Sequence, residues 1–148
     1  MKDKDRGAKG HPFLFVYGTL MQSFQGGLQE KVGAKLVGEG TIRARLYDLG
    51  DYPGARLADN GSENFVKGEL YQLSDPERTA RILDKYEEYF PSEPLKSLFI
   101  RELVTVTLEG GRKRRAWTYL YNRPVDNTKL IPSGDYRDCA RRSSLELR

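Results

Sequence analysis

The sequence predicts an α+β fold: a mixed β-sheet, open or closed into a small barrel, with one main helix packed against it. Three observations point there. Short apolar and aromatic runs of strand length recur along the 148 residues. Only one segment is punctuated at both ends like a full helix. The elements follow one another as strand, weak helix, several strands, helix and hairpin, which is not the alternation of a regular βαβ sheet. Neither a repeat nor a linker interrupts the chain. Residues 13–136 therefore read as a single domain between a disordered leader, 1–12, and a basic C-terminal tail, 137–148.

Phe13-Leu14-Phe15-Val16-Tyr17 is apolar and stops at Gly18, the pattern of a buried strand running into a loop. Residues 21–31 have helical character that Gly26 and Gly27 weaken. Residues 34–49 are strand-like, with Gly38 and Gly40 marking a bulge or bend. Asp51-Tyr52-Pro53-Gly54 signals a turn, and residues 65–73 a further strand. Ser74-Asp75-Pro76-Glu77 is the clearest helix start. It offers Ser74 or Asp75 as N-cap, Pro76 in the first turn, and Glu77 in capping-box position to Ser74. That helix should run to about Tyr89, before Pro91 and Pro94 stop it. Residues 98–108, a Glu109-Gly110-Gly111-Arg112 turn and residues 115–121 make a β-hairpin by pattern. Its second arm puts Trp117, Tyr119 and Tyr121 on one face and Ala116, Thr118 and Leu120 on the other.

At 38% hydrophobic and 31% charged, with 15 Gly and 7 Pro, the composition is globular and rather polar. The 25 Lys and Arg exceed the 21 Asp and Glu by four, partly at the ends: Lys2, Lys4, Arg6 and Lys9, then Arg137, Arg141, Arg142 and Arg148. So small a surplus is weak evidence for nucleic acid. The run Arg112-Lys113-Arg114-Arg115, near Trp117 and Tyr119, has the composition of an RNA contact. A charged hairpin tip that blocks edge pairing is the preferred account. Cys139 is the single cysteine, which excludes an internal disulfide and fits a reducing compartment. No stretch is long and apolar enough to span a membrane. The first twelve residues lack the apolar core of a signal peptide, so Asn60-Gly61-Ser62 matches a glycosylation sequon in form only. A cytoplasmic protein is expected, with its oligomeric state left open.

The sole histidine, His11, lies in the expected leader, which argues against a histidine triad or a His-rich zinc site. Cys139 lacks a credible base and sits in the basic tail, as a bystander thiol would. There is no phosphate-binding glycine loop, and Gly38-x-Gly40 is a bend rather than a dinucleotide fingerprint. Proton transfer in such a chain must run on carboxylates, Tyr, Lys or backbone groups.

Two features could carry chemistry. At Tyr17-Gly18-Thr19-Leu20 a strand meets a loop, and Gly18 permits a positive φ or a close backbone approach to a ligand. Successive N–H groups in such a turn can hold an anion; a plain strand-ending turn is the alternative. The second feature is the helix near Glu87. Thr79, Ile82, Leu83, Tyr86 and Phe90 fall on one stripe, with Glu87 on its margin roughly 80° from the centre. Glu88 faces the opposite side, and Asp84 and Lys85 project outward. A carboxylate at the edge of an apolar face is partly desolvated, which raises its pKa toward that of a base working near neutrality. The alternative is a boundary glutamate paired with Arg81 or Arg101.

In series, these residues resemble the γ-glutamylcyclotransferase family, including its AIG2-like and γ-glutamylamine branches. The anchors are Phe15-Val16-Tyr17-Gly18-Thr19-Leu20, Tyr52-Pro53-Gly54-Ala55, Leu83-Asp84-Lys85-Tyr86-Glu87, Phe99-x-Arg101-x-x-Val104-x-Val106 and Ala116-Trp117-Thr118-Tyr119. The resemblance implies a small mixed β-barrel with flanking helices and a pocket between the Tyr17-Gly18-Thr19-Leu20 loop and Glu87. It implies release of 5-oxoproline from a small γ-glutamyl compound without metal or cofactor, Glu87 moving the proton. The amides of Gly18, Thr19 and Leu20 would bind the substrate carboxylate or the oxyanion. Tyr119 and Tyr121 would line the cavity or simply pack the core. A non-catalytic module that keeps the pocket for a small carboxylate is the rival reading. The chain departs from the family at Glu88, where Gly is common; extra acidity there would raise the Glu87 pKa further or misplace the loop. It departs also in the long segment 89–96, at Phe99 in place of Tyr, and at Tyr136 in place of Trp.

Overall fold

The computed structural model describes residues 11–24, 27–58 and 62–139. The leader up to residue 10, Gly26, the Asn60-Gly61 pair and the tail arginines Arg141, Arg142 and Arg148 lie outside these residues. Among the described residues the elements follow in the order β1 (Phe13–Val16), α1 (Leu28–Val32), β2 (Lys35–Asp48), β3 (Pro53–Leu57), β4 (Phe65–Gln72), α2 (Pro76–Tyr86), β5 (Phe99–Leu108) and β6 (Lys113–Tyr121), and residues 136–139 are helical as well. Short 3-10 turns occupy Pro94–Lys96 and Asn127–Lys129.

The strands β2, β4, β1, β6 and β5 pair in that order, and β5 returns to β2 through Gly40↔Leu108 and Thr41↔Thr107. The sheet thus closes into a small barrel. It is mixed because β1 runs parallel to β6 at Leu14↔Trp117, whereas the other pairings are antiparallel. Closure explains the glycine-interrupted text of β2. The register slips between Leu36 and Gly38, a bulge that bends the strand. A Cβ at Gly40 would stand 2.8 Å from Val106 Cγ1 and 3.1 Å from the Thr107 carbonyl, so only glycine lets β2 reach β5. Inside lie Phe15, Ile42, Val66, Leu70, Val106 and their neighbours. Each buried side chain of this size contributes roughly 1.5–3 kcal/mol.

Asp51-Tyr52-Pro53-Gly54 is not wholly a turn: Pro53 opens β3, which pairs with β2 from Ala44↔Leu57 to Asp48↔Pro53. A proline is tolerated there because β3 is an edge strand. The helical character of residues 21–31 condenses into the five residues of α1. Residues 21–24 turn instead, since Gly27 packs so tightly on the loop that a Cβ would lie 2.7 Å from the Met21 carbonyl.

The main helix α2 starts as read, with Asp75 accepting from the Arg78 N–H at 3.1 Å and Pro76 in the first turn. It ends three residues before the expected Tyr89. The Glu88 N–H donates to the Lys85 carbonyl at 3.2 Å and the Tyr89 N–H to the Asp84 carbonyl at 2.8 Å. This is a Schellman closure, which turns the chain out of the helix at the residue after the C-cap. The apolar stripe is also narrower than expected: Thr79 and Leu83 are buried, while Tyr86 is 50% and Phe90 46% exposed. Asp84 does not project outward. Its carboxylate accepts the Tyr119 hydroxyl at 2.6 Å and lies 3.3 Å from Arg101 Nε, which draws it onto the barrel.

Candidate active site

Strand β1 carries the chain to Tyr17 at one end of the barrel, and Tyr17 ties three strands together there. Its hydroxyl donates to the Tyr119 carbonyl of β6 at 2.6 Å and accepts the Ala55 N–H of β3 at 3.1 Å. Complete burial pushes its pKa far above the ordinary phenol range. The next residue, Gly18, does not have a positive φ. What requires glycine is instead a close approach to another strand: a Cβ there would stand 3.0 and 3.2 Å from the Pro53 ring.

Beyond Gly18 the chain makes successive turns. The Met21 N–H donates to the Gly18 carbonyl at 3.1 Å, and the Leu28 N–H to the Leu20 carbonyl at 2.8 Å. The N–H groups of Gly18, Thr19 and Leu20 themselves find no acceptor among the described residues. A buried loop rarely leaves three consecutive donors unused. Here they border a cavity of ≈ 490 Å³.

Glu87 lines the same cavity. It is the C-cap of α2, its N–H donating to the Leu83 carbonyl at 2.8 Å. Among the described residues its carboxylate has neither a hydrogen-bond nor an ion-pair partner. The pairing with Arg81 or Arg101 that would have made it a boundary glutamate is not formed: Arg101 sits beside Asp84 and over the Trp117 ring at 4.9 Å. The Arg101–Asp84 contact is an ion pair without hydrogen-bond alignment, so Arg101 Nε counts as unbonded. Burial alone pushes the Glu87 carboxyl up to about 7.

Glu88 is exposed as expected, but it does not face away from Glu87: it lines the same cavity, and it adds nothing to that rise. Nor does it misplace the loop. It takes φ +56°, the sole non-glycine residue with positive φ among those described, and the Schellman closure is intact. The family's glycine position is thus reproduced in backbone geometry with a side chain attached.

Tyr17, Gly18, Thr19, Leu20, Glu87 and Tyr119 come together around one cavity. Tyr119 is buried, and its pKa is raised by burial and by Asp84, to which its hydroxyl is committed. Tyr121 is not brought in: it packs edge-on against Phe99 at 5.4 Å and lines a separate surface depression with Arg56 and Asn122. Phe15, Val16, residues 51–53, Tyr86, Glu88, Leu98, Phe99 and Thr118 complete the wall. Tyr52, Pro53, Tyr86, Phe99 and Thr118 were signalled by the anchor segments, whereas Asp51 and Leu98 lie outside them. The aromatics an RNA contact would need are occupied, Tyr119 by burial and Trp117 by Arg101 and the edge of His11 at 6.2 Å. Among the described residues, no three His, Cys, Asp or Glu are grouped to hold a metal ion, and no helix is long and apolar enough to cross a membrane.

Residues 14–138 match the family model described as gamma-glutamyl cyclotransferase, AIG2-like. The chain belongs to that family. A gamma-glutamylcyclotransferase family protein of Escherichia coli K12, YtfP, is 33% identical over 135 residues, covering 84% of this chain and 96% of the relative. The gamma-L-glutamyl-butirosin B gamma-glutamyl cyclotransferase of Niallia circulans is 37% identical over 113 residues, 76% of this chain and 68% of that one. A crystal structure of an AIG2-like protein from Mus musculus superposes with a TM-score of 0.64 at 21% identity, covering 85% of this chain and 88% of the other. At that identity the superposition speaks for the fold. Family membership assigns cyclotransferase-type chemistry on γ-glutamyl compounds.

Proposed function

We propose that the protein cyclises a γ-glutamyl amine, or a related γ-glutamyl compound, to 5-oxoproline and the free amine, with Glu87 as the proton carrier. The observation that carries this reading is the partnerless Glu87 carboxylate, raised to about 7, lining the cavity bordered by the unused amides of residues 18–20. The Niallia circulans relative, named for γ-L-glutamyl-butirosin B, supports a γ-glutamyl group as the portion held.

The substrate's α-amino nitrogen attacks its own γ-carbonyl, so nucleophile and electrophile arrive in one molecule and the cavity need only hold the folded conformer. Glu87 takes a proton from the α-ammonium. The nitrogen then bonds to the γ-carbon, and the carbonyl oxygen becomes an oxyanion. Protonated Glu87 gives its proton to the departing nitrogen as the oxyanion collapses and the old C–N bond breaks. The carboxylate so regenerated takes the second proton from the new ring nitrogen and passes it to the released amine, which leaves as its ammonium. A carboxylate moved from its usual range to about 7 is the stronger base by roughly 3 kcal/mol, and it still returns the proton readily to an amine. The amides of residues 18–20 suit anionic oxygen, whether the substrate's α-carboxylate or the oxyanion.

Purified protein incubated with γ-glutamyl-lysine and a panel of γ-glutamyl amines should release 5-oxoproline, and Glu87→Gln should abolish the release. Retained turnover in that variant would remove Glu87 from the chemistry. Binding of 5-oxoproline by native protein and variant alike, with no turnover by either, would establish the non-catalytic carboxylate-binding module instead.

A further inference from the structure

Glu69 is only 1% exposed, the most deeply buried charged side chain among those described, and the chemistry above does not use it. It stands on β4 directly across from Val16, the last residue of β1 before the amide-bearing loop. Its Oε1 accepts two hydrogen bonds, from the Gln22 N–H of that loop at 2.8 Å and from the Tyr71 hydroxyl at 2.8 Å. Its Oε2 lies 3.9 Å from Arg137 Nη1.

Arg137 comes from the segment read as a basic tail, and it is held by two carboxylate forks. Glu39 accepts from Nη1 and Nη2 at 2.8 and 3.0 Å, and Asp135 from Nε and Nη2 at 2.9 and 3.1 Å. Bidentate pairs of this kind fix orientation as well as charge. The same segment grips the loop a second time, through Tyr136 stacked on Phe24 at 5.7 Å and 29°. It is pinned to the barrel by the Lys67 N–H donating to the Gly134 carbonyl at 2.8 Å. A buried carboxylate is tolerable only where its lone pairs and charge are answered. Here the loop amide, a phenol and a fixed guanidinium answer them.

We propose that Glu69 is a positioning residue for the amides of residues 18–20, backed electrostatically by Arg137, so that the C-terminal segment sets the geometry of the substrate loop. This rests on the reading of those amides as the anion-receiving group. Loss of the Glu69 charge frees Gln22 and lets the turns at residues 18–21 loosen, because the remaining loop bonds are short-range and local. Arg137 acts through Glu69 and touches no substrate.

Amide hydrogen exchange on the full chain reads the loop without any ligand. Glu69→Gln is expected to speed exchange at Gln22 at least tenfold, with the β5–β6 amides within about twofold of native. Arg137→Lys, which keeps a cation without the double fork, should fall between native and Arg137→Met. Native-like exchange at Gln22 in folded Glu69→Gln, or a loss of protection spread evenly over the barrel, would overturn the proposal. Calorimetry with 5-oxoproline tests the consequence: affinity should fall at least tenfold in Glu69→Gln, and unchanged affinity would refute the positioning role. Failure of the native chain to turn over any γ-glutamyl compound would strike the proposed function alone, since neither measurement needs turnover.

Discussion

The Tyr17 hydroxyl donates to the Tyr119 carbonyl at 2.6 Å, joining the ends of β1 and β6 across 102 positions of sequence. The same oxygen receives the Ala55 N–H of β3. One phenol therefore fastens the three strands that frame the cavity, and neither side of the site is held by local structure alone. Tyr17→Phe keeps the ring and strands a buried carbonyl and a buried N–H, so it should cost about 2 kcal/mol. Chemical denaturation measures it; a loss below about 0.5 kcal/mol would mean that water replaces the hydroxyl.

Glu87 must be ionised to accept the ammonium proton. Turnover should therefore rise with pH through about 7 and level off above it. Glu87→Gln should lower kcat at least a thousandfold while binding 5-oxoproline within a few-fold of native. An acid limb near the ordinary carboxylate value would show that the working base is another group.

Burial of Glu87 also ties stability to pH. Its folded value of about 7 lies above the ordinary 4.5, so its contribution is fully present below about 4.5 and is lost as pH rises to about 7. Glu87→Gln, which cannot ionise, should thus match native stability near pH 4. Its advantage should grow between those values and stay level above, reaching about 1–3 kcal/mol after allowance for solvent around the carboxylate. Thermal denaturation at pH 4, 6 and 8 tests the trend. An advantage that shrinks with rising pH would contradict it.

Glu88 holds φ +56° at the position after the C-cap of α2. A side chain in the left-handed region costs on the order of 1 kcal/mol, which glycine does not incur. Glu88→Gly should raise stability by about 1 kcal/mol, whereas Glu88→Val, with branching at Cβ, should lower it. Equal effects from the two would dismiss the backbone as the cause.

Asp84 links α2 to the barrel through the Tyr119 hydroxyl and Arg101. Asp84→Ala leaves Arg101 largely buried without its anion and should cost about 3 kcal/mol. Asp84→Asn keeps an acceptor for the hydroxyl and should cost about half as much by denaturant titration. A larger loss for Asn than for Ala would exclude the hydrogen bond as the main term.

The residues whose meaning is local could be read directly. Ser74-Asp75-Pro76 announced α2, the Glu109-Gly110-Gly111-Arg112 turn announced the hairpin, and the strand-to-loop step at Gly18 and the partly sheltered Glu87 were recognisable because capping, turn chemistry and helical spacing act over a few residues. Asp84 and Glu69 were not legible. Asp84 looked solvent-facing by helical angle, and nothing near Glu69 marks it as buried, because the partners that bring each of them inward lie far off in sequence, at Tyr119 and Arg101 for one and at Gln22 and Arg137 for the other.

By itself, then, the sequence determined most element types (β3 excepted), the helix start, the family and the candidate acid. Closure of β2 onto β5, the exclusion of Tyr121, the partnerless state of Glu87 among the described residues and the contacts of Arg137 with Glu69 and of Tyr136 with Phe24 were decided by tertiary structure. The reason is physical: periodicity and capping depend on neighbours along the chain, whereas the burial and charge pairing of a side chain depend on what the closed barrel places beside it.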